Sequence, residues 1–311
     1  MKRLFCFLLI LLLLSGCAAP ETGSGQLSFT DHSGATFYFD RRPERVAILF
    51  SSYAEIWQLA GGTVEITVGE AVERGFADEN AILVDGGAGK TIDMEALIAA
   101  APDLVIGSAD IPAQVEVCQQ AKRSAIPAAL FRVDTFQDYL DVLKIFTDIT
   151  QNEEAYQRYG TDVATEIQEI LQKTAGLQRS EEILFIRSGS SASSAKTKRA
   201  PDHFVCTMLT ELGAHNIADD APLLLDGLSL EEILIRDPGH IFISTMGSEE
   251  ASRSYVESLL AQPGWRDLTA VQEGHTYFLP RELFHFKPNA RWAEAYRYLA
   301  QLLYPELDLN A

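Results

Sequence analysis

The stretch "DMEALIAAAPDLVI", residues 93–106, aligns without gaps on "SLEEILIRDPGHIF", residues 229–242, at an offset of 136 positions. Asp93 and Ser229, which open the two copies, are residue types that favour helix N-caps, and a glutamate follows two positions later. In each copy a proline then ends the predicted helix before an apolar run that is typical of a β-strand. The chain therefore contains the same helix–strand unit twice.

A second pair, "PERVAILFS" (residues 43–51) and "SEEILFIRS" (residues 180–188), aligns at an offset of 137 positions. Two matches at nearly one offset indicate a duplicated lobe, although unrelated α/β units also share such patterns. Apolar β-type runs alternate with helical patterns, which predicts parallel sheets with helical crossovers. The predicted strands are residues 45–49, 65–68, 82–84, 104–106, 128–131, 183–186, 241–244 and 276–279. The predicted helices include residues 52–60, 94–101, 113–124 and 230–236.

Residues 136–176, between the two copies, are helical in pattern. Apolar side chains of their second half step by three or four positions, as one face of a helix does: Tyr156, Tyr159, Val163, Ile167 and Ile170. A helix from Asn152 to Ala175 would be about 36 Å long. We predict an α/β protein of two Rossmann-like lobes with parallel sheets, residues 27–135 and 177–311. The long helix bridges them, a ligand cleft lies between them, and lobe closure is small.

The N-terminus predicts export from the cytoplasm. Two basic residues precede an 11-residue apolar run, Leu4–Leu14, which is too short to span a bilayer as a helix. The run ends in Leu14-Ser15-Gly16-Cys17, which matches the bacterial lipobox, where the signal is cut before a cysteine that then carries lipid. We expect a signal peptide at 1–16, lipid on Cys17 and a flexible tether over 17–26, which anchor the protein outside the cytoplasmic membrane. An ordinary secretory signal is the alternative.

Charge and cysteine content narrow the classes of partner. The net charge is −19, and loss of Lys2 and Arg3 with the signal takes it to about −21. Such an acidic chain disfavours nucleic acid, whose phosphates require a basic surface. After processing, Cys118 and Cys206 remain as buried free thiols, with a disulfide between them as the alternative.

One glycine-rich stretch, "VDGGAGKT" at residues 84–91, resembles the end of a phosphate-binding loop. The full pattern requires its first glycine at position 84, which is Val84 within an apolar run. ATP is also scarce outside the cytoplasmic membrane. We therefore interpret these glycines as a turn that leads into the N-cap Asp93, and we do not expect nucleotide binding.

Several motifs, in order and at the right spacing, make the mature chain similar to one family. It resembles the bacterial substrate-binding proteins of ABC importers for metal chelates, in which a helix forms the backbone between the lobes. The motifs that carry the resemblance are residues 30–34 with 42–46, "APDLVI" (101–106), "LTELGAHNIADD" (209–220), "PGWRDLTAVQEGHTYFLP" (263–280) and Leu303-Tyr304-Pro305. The resemblance implies capture of a ferric siderophore, or of haem or cobalamin, and delivery to an ABC permease dimer.

The same resemblance implies a docking role for one glutamate on each lobe, which would pair with arginines of the permease. Glu95 and Glu231 occupy the matching positions. They are also equivalent in the internal repeat, so both carboxylates could face one partner. The alternative is that each acid only favours the positive end of its helix. We expect a monomeric chain without a resident cofactor.

Ligand-binding candidates are polar and aromatic residues that follow predicted strands, because ligands of α/β folds bind at the carboxyl ends of strands. They are Ser51, Tyr53, Arg74, Ser108, Arg132, Arg187, Ser190, Lys196, His203, Met246, Phe284, His285 and Lys287. Between Ile183 and Pro201 there are four basic residues and no acid, which predicts either a wall for an anionic ligand or a solvated loop. Arg187, directly after a strand, is the leading candidate.

Metal ligation is less clearly encoded. His285 and Tyr53 are the candidates for an axial ligand to a bound chelate, since haem iron is held by such side chains. The six histidines are scattered, so no site for a bare metal ion is predicted. Two other functions remain as alternatives: a haem-sequestering surface lipoprotein without a permease, and a metal-dependent enzyme on the same fold. No nucleophile motif or spaced acid–base pair supports the enzyme.

Overall fold

The computed structural model describes residues 27–86, 91–177, 180–189, 194–220 and 229–309. The predicted signal, Cys17 and the tether lie outside these ranges, as do Lys90 and Ser190. In the first half of the chain the strands are β1 (Leu27–Thr30), β2 (Thr36–Phe39), β3 (Val46–Ile48), β4 (Ile66–Thr67), β5 (Ile82–Leu83), β6 (Leu104–Ser108) and β7 (Ala128–Phe131). The helices between them are α1 (Ser51–Leu59), α2 (Gly69–Glu73), α3 (Met94–Ala99) and α4 (Pro112–Arg123).

The first lobe is a parallel sheet covered by these helices. Its strand order is β5-β4-β3-β6-β7, and every neighbouring pair is parallel. The short hairpin β1–β2 is antiparallel and packs at the β7 side, where the backbone N–H of His32 donates to the carbonyl of Leu130. The strands β3, β6 and β7 are buried on both faces, as central parallel strands require.

The second lobe repeats this plan. Its strands are β8 (Glu182–Ser188), β9 (Ala195–Thr197), β10 (His215–Asn216), β11 (His240–Thr245) and β12 (Thr276–Phe278). The order β10-β8-β11-β12 is parallel, and β9 adds an antiparallel edge to β8. The helices are α8 (Phe204–Glu211), α9 (Leu230–Arg236), α10 (Glu249–Leu260), α11 (Thr269–Gln272), α12 (Arg281–Phe284) and α13 (Trp292–Leu303).

The internal repeat is visible in the topology. Strands β4, β3, β6 and β7 correspond in order to β10, β8, β11 and β12, and the helices α3 and α9 precede equivalent strands. Asp93 and Ser229 cap these helices as predicted, since each side chain accepts a backbone N–H of the first turn. Ala101 and Asp237, also equivalent, both adopt left-handed conformations, with φ of 48° and 44°. The duplicated α/β fold predicted from sequence is confirmed.

A helical segment links the lobes. After α5 (Phe136–Thr150), Gln151 in a left-handed conformation ends the helix, and Asn152 caps α6 (Glu153–Tyr156). The chain continues through one π-helical turn, Gln157–Thr161, into α7 (Asp162–Ala175) with right-handed helical dihedrals at both junctions. The predicted helix is therefore continuous, and the π-turn is the feature that the apolar periodicity did not predict.

One apolar core runs through both lobes. It contains Ile48 and Phe131 of the first sheet, Phe185 and Phe242 of the second, and Trp292 of α13, all fully buried. Separate clusters cover the outer face of each sheet. Cys118 and Cys206 are buried free thiols, as predicted. Within the described ranges, no helix is both long and apolar enough to cross a bilayer.

Candidate functional site

A cavity of about 580 Å³ lies between the lobes, within the size range of small-molecule sites. The loops after β3, β6 and β7 form the wall of the first lobe with Phe50, Ser52, Tyr53, Ser108, Asp110 and Asp134. The facing wall contains Arg187 at the end of β8 and, from other segments of the second lobe, His203, Phe204, His285, Lys287 and Asn289. The carboxyl ends of parallel strands thus meet at the cavity, as expected for ligand sites in α/β folds.

Tyr53 lies in the first turn of α1 and is 2% exposed. Its hydroxyl donates to the backbone carbonyl of Phe131 over 2.7 Å. Burial raises the pKa of the Tyr53 phenol, so the side chain stays protonated. Tyr53 therefore lines the cavity as a protonated phenol whose hydroxyl is already hydrogen-bonded to the first lobe.

A chain of ion pairs crosses the cavity from one lobe to the other. Arg132 Nε lies 2.6 Å from Asp110 Oδ1 and 3.7 Å from Asp134 Oδ2. Asp134 in turn pairs with Lys287 Nζ of the second lobe at 3.3 Å. Burial lowers the pKa of Lys287, and Asp134 opposes that effect. The two carboxylates and the two cations of these linked ion pairs cancel in charge. The linked pairs therefore carry no net charge for a ligand to neutralise.

Arg187 is different because its charge is not balanced. Its Nε is buried without a hydrogen-bond partner, and no carboxylate forms an ion pair with it among the residues that the structure describes. Burial lowers the pKa of the guanidinium, which nevertheless remains protonated at neutral pH. A half-buried, uncompensated cation at a cavity attracts an anionic group.

Two neutral histidines accompany Arg187. His203 is 8% exposed, lies between the rings of Phe185 and Phe204 at centroid distances of 4.8 Å, and its Nδ1 accepts the backbone N–H of Val205. Burial holds the pKa of His203 well below its usual range. The neutral ring then carries its proton on Nε2 and is a donor there.

His285 follows α12, and its Nδ1 is buried without a hydrogen-bond partner among the residues that the structure describes. Burial, reinforced by the charges of Arg281 and Arg187, lowers the pKa of His285 to about 4. Within the described ranges, no three His, Cys, Asp or Glu side chains lie close enough together to hold a bare metal ion.

Of the thirteen candidates, six line the cavity: Tyr53, Ser108, Arg187, His203, His285 and Lys287. Ser51 and Arg74 do not. The Ser51 hydroxyl bonds to Glu70 and accepts from Arg74, whose guanidinium carbon lies 4.7 Å from the ring centroid of Phe76 and 3.9 Å from that of Phe286. Arg74 therefore joins the two lobes beside the cavity.

Four further candidates also lie off the cavity, and Ser190 is outside the described residues. Arg132 supports the acidic wall from an exposed position. Lys196 is exposed on β9, directly opposite Arg187 in the strand pair. Met246 donates its backbone N–H to Ser188, and Phe284 is fully buried against Tyr298.

The sequence reasoning missed Asp134 and Asn289. Asn289 is fully buried with φ of 50°, and its Nδ2 donates to the Ser52 carbonyl over 3.2 Å and to Glu55 Oε2 over 2.7 Å. Its Oδ1 has no hydrogen-bond partner within the described part of the chain. Asn289 lies two positions beyond Lys287 in the segment that follows β12, and the candidates drawn from that segment ended at Lys287. Asp134 lies three positions beyond β7, and that loop was searched only as far as Arg132.

Outside the cavity, Glu95 and Glu231 are both exposed in the first turns of α3 and α9. A helix that precedes a strand of a parallel sheet runs opposite to the strands and begins at their carboxyl edge. Both glutamates therefore belong to the edges of the sheets on which the cavity opens. Their equivalence in the repeat gives the molecule two similarly placed acids.

Two α/β lobes share a helical linker and enclose a cavity of small-molecule size, which is the architecture of a two-lobed binding protein. Residues 46–283 match the sequence profile of the family described as periplasmic binding protein, and the chain belongs to that family.

Individual relatives are distant in sequence and similar in fold. YhfQ of Bacillus subtilis, whose full name is putative ABC transporter substrate-binding lipoprotein YhfQ, is 22% identical over 95% of this chain and 96% of its own. Among solved structures, the petrobactin-binding protein YclQ of Bacillus subtilis has a TM-score of 0.68 at 16% identity, covering 91% and 99% of the two chains. The haem-binding RhuT of Roseiflexus has a TM-score of 0.63 at 19% identity, covering 84% and 98%.

Proposed function

We propose that this protein captures a small anionic metal chelate in the interlobe cavity and delivers it to an ABC-importer permease. The single observation that carries the ligand class is Arg187, a cation at the cavity with a buried Nε that no described group satisfies. His285 Nδ1 and Asn289 Oδ1, on residues of the same cavity, are two more buried polar atoms that no described group satisfies. Buried polar atoms normally have partners, and a ligand that enters with ordered water would supply them.

The chelate class rests on the relatives. Proteins of this fold are named for binding petrobactin and haem, so a ferric siderophore is our first choice, and haem and cobalamin follow. A ferric siderophore with carboxylate or catecholate groups presents the anionic oxygens that a guanidinium binds as a fork. Haem also carries carboxylates, and His285 is the residue we assign as its axial ligand.

The anchor and the partner complete the proposal. Lipid on Cys17 would hold the chain at the outer face of the cytoplasmic membrane, in line with the lipoprotein relative. Glu95 and Glu231, exposed and equivalent on the two lobes, would pair with basic residues of the permease. A permease-free haem-sequestering lipoprotein is the second candidate, and a lack of effect of both glutamates on uptake would favour it.

The test is a titration of the chain from Ala18 onward with ferric carboxylate and catecholate siderophores, haem and cobalamin, followed by absorbance and tryptophan fluorescence. We expect saturation at micromolar concentration or below by one anionic chelate. The titration is repeated at high salt to separate a contact with Arg187 from attraction by surface charges. Salt screens a buried guanidinium pair less than a surface contact, so affinity that depends on Arg187 should persist at high salt. Failure of all four ligand classes to bind contradicts the proposal.

A further inference from the structure

The helices α3 and α9 expose apolar side chains one turn beyond the two glutamates. Ile98 is 46% exposed, Leu234 39% and Ile235 72%. Six large apolar side chains are exposed in the part of the chain that the structure describes, and these three of them lie on two helices that total thirteen residues. Scattered exposed apolar residues are ordinary, so their concentration on these two helices is the informative feature.

The positions also repeat. Ile98 and Leu234 are related by the same offset of 136 that relates Glu95 and Glu231. Glutamate and apolar residue are three positions apart in each helix, so they share one helix face. The inner faces hold Leu97 and Ile233, which are buried in the two outer clusters. Each lobe thus presents an acid and an apolar side chain together, in the same arrangement.

We infer that Ile98, Leu234 and Ile235 form the apolar part of a permease-docking surface whose charged part is Glu95 and Glu231. This rests on the proposed delivery to an ABC permease. A partner that meets both lobes alike must itself carry two similar patches, each with a cation and an apolar pocket. A membrane-embedded permease built from two like subunits has that symmetry, and the lipid on Cys17 would keep this chain beside it.

The apolar contacts would supply binding affinity that the charged contacts cannot supply. Exposed ion pairs contribute little affinity and are screened by salt. Their main effect is to steer the approach of the two proteins and to fix their relative orientation. Burial of three aliphatic side chains supplies affinity that persists at high salt. Ile235 is equivalent to Ala99 of the first lobe, so the second lobe should contribute more of this affinity.

The first experiment places photoreactive benzoylphenylalanine at position 98, 234 or 38 of the full lipidated chain in its own host. Tyr38 is 70% exposed on the hairpin strand β2 and serves as the control. We expect positions 98 and 234 to crosslink to the same polytopic permease and position 38 not to. Crosslinks to a second copy of this chain, to a protein that is not a permease, or to nothing overturn the inference.

The second experiment measures association with that permease in lipid nanodiscs at low and high salt. Ile98→Ser with Leu234→Ser and Ile235→Ser should weaken association at least tenfold at both salt concentrations, while Tyr38→Ser has no effect. Glu95→Arg with Glu231→Arg should weaken it mainly at low salt. If only the glutamate variant weakens association, the inference about the apolar residues is contradicted and permease docking is retained. If neither variant weakens association, permease docking itself is contradicted. Chelate titration of the soluble variants should be unchanged.

Discussion

Arg187 is the residue on which ligand affinity should depend most. Its guanidinium has no carboxylate partner among the described residues, so the free protein pays a desolvation cost that an anion would relieve. We predict that Arg187→Leu lowers affinity for the anionic chelate by about 2–5 kcal/mol, the usual effect of truncating one partner of a buried charge pair. The same variant should keep or raise the midpoint of thermal unfolding, because an unpaired buried charge is removed.

Lys196→Leu is the matched control for that prediction. Lys196 lies directly opposite Arg187 in the β8–β9 pair and is exposed outside the cavity. Its removal should change affinity only slightly, as expected for a surface charge. Equal losses from the two variants, measured by titration calorimetry, would show that a general positive field attracts the ligand and that Arg187 has no specific contact.

His285 should make the stability of the free protein depend on pH. Its pKa is about 4 in the folded chain, mainly because of burial, against about 6.5 in an unfolded chain. Between these values the unfolded state binds more protons, so stability falls as pH falls from about 6.5 towards 4. We predict that the urea midpoint of the native chain drops more between pH 7 and 5 than that of His285→Gln. Parallel pH curves for the two proteins would contradict this.

At the scale of elements, the repeat makes a paired prediction about the left-handed residues that follow α3 and α9. Ala101 has no side-chain group to offset its positive φ, whereas Asp237 accepts hydrogen bonds from the backbone N–H and the hydroxyl of Thr269. Glycine removes the left-handed strain of about 1 kcal/mol but increases the entropy of the unfolded chain. Ala101→Gly should therefore stabilise the protein by about 0.5 kcal/mol.

Asp237→Gly should act in the opposite direction. It relieves similar strain but loses both hydrogen bonds to Thr269, so we expect a loss of about 1 kcal/mol. Urea unfolding of the two variants measures both effects in one background. Stabilisation by both substitutions would mean that the Thr269 contacts contribute nothing, and destabilisation by both would mean that neither backbone is strained.

The elements were predictable to the extent that local pattern determines them. The runs at 128–131 and 230–236 are observed with the predicted bounds. In the helix 230–236 the N-cap Ser229, the apolar period and the following Pro238 agree, and the strand 128–131 is an apolar run bounded by Pro127 and Arg132. The π-turn at Gln157–Thr161 was not predictable, since it depends on how Gly160 packs against Leu140 and Leu143 of α5. Such a contact depends on tertiary packing. The spacing of apolar residues by three or four positions along the sequence carries no information about it.

The candidate site shows the same division. Residues at the carboxyl ends of strands, such as Arg187 and Ser108, were predicted because parallel strands end at one edge of the sheet. Arg74 also follows a strand, yet its side chain does not line the cavity. It packs against the rings of Phe76 and Phe286 and forms an ion pair with Glu55. Which of several polar residues faces the ligand depends on lobe packing, and the sequence of either lobe alone does not specify it.

At the scale of the whole molecule, the lobes are joined by more than the bridging helix. Arg74 and Glu55 of the first lobe are 17% exposed, 3.7 Å apart, and packed against Phe286 and Asn289 of the second. We name these four residues the interlobe clasp. Together with the shared core, the clasp explains why lobe closure should be small. The clasp adjoins the cavity, because Asn289 both bonds to Glu55 and lines the cavity.

The clasp predicts how the lobes respond to one substitution. Arg74→Met keeps an unbranched side chain of similar length but removes the cation over Phe286, a contact worth about 0.5–2 kcal/mol, and leaves the buried Glu55 carboxylate without its ion pair. We expect a broader distribution of interlobe distances between spin labels and faster chelate dissociation, with the fold retained by the shared core.

Arg253→Met is the control, because Arg253 lies 4.1 Å over Phe278 within the second lobe alone. Since both variants lose a cation–π contact, a broadening seen in both would reflect general loosening, and only a broadening confined to Arg74→Met identifies the clasp as what holds the lobes together.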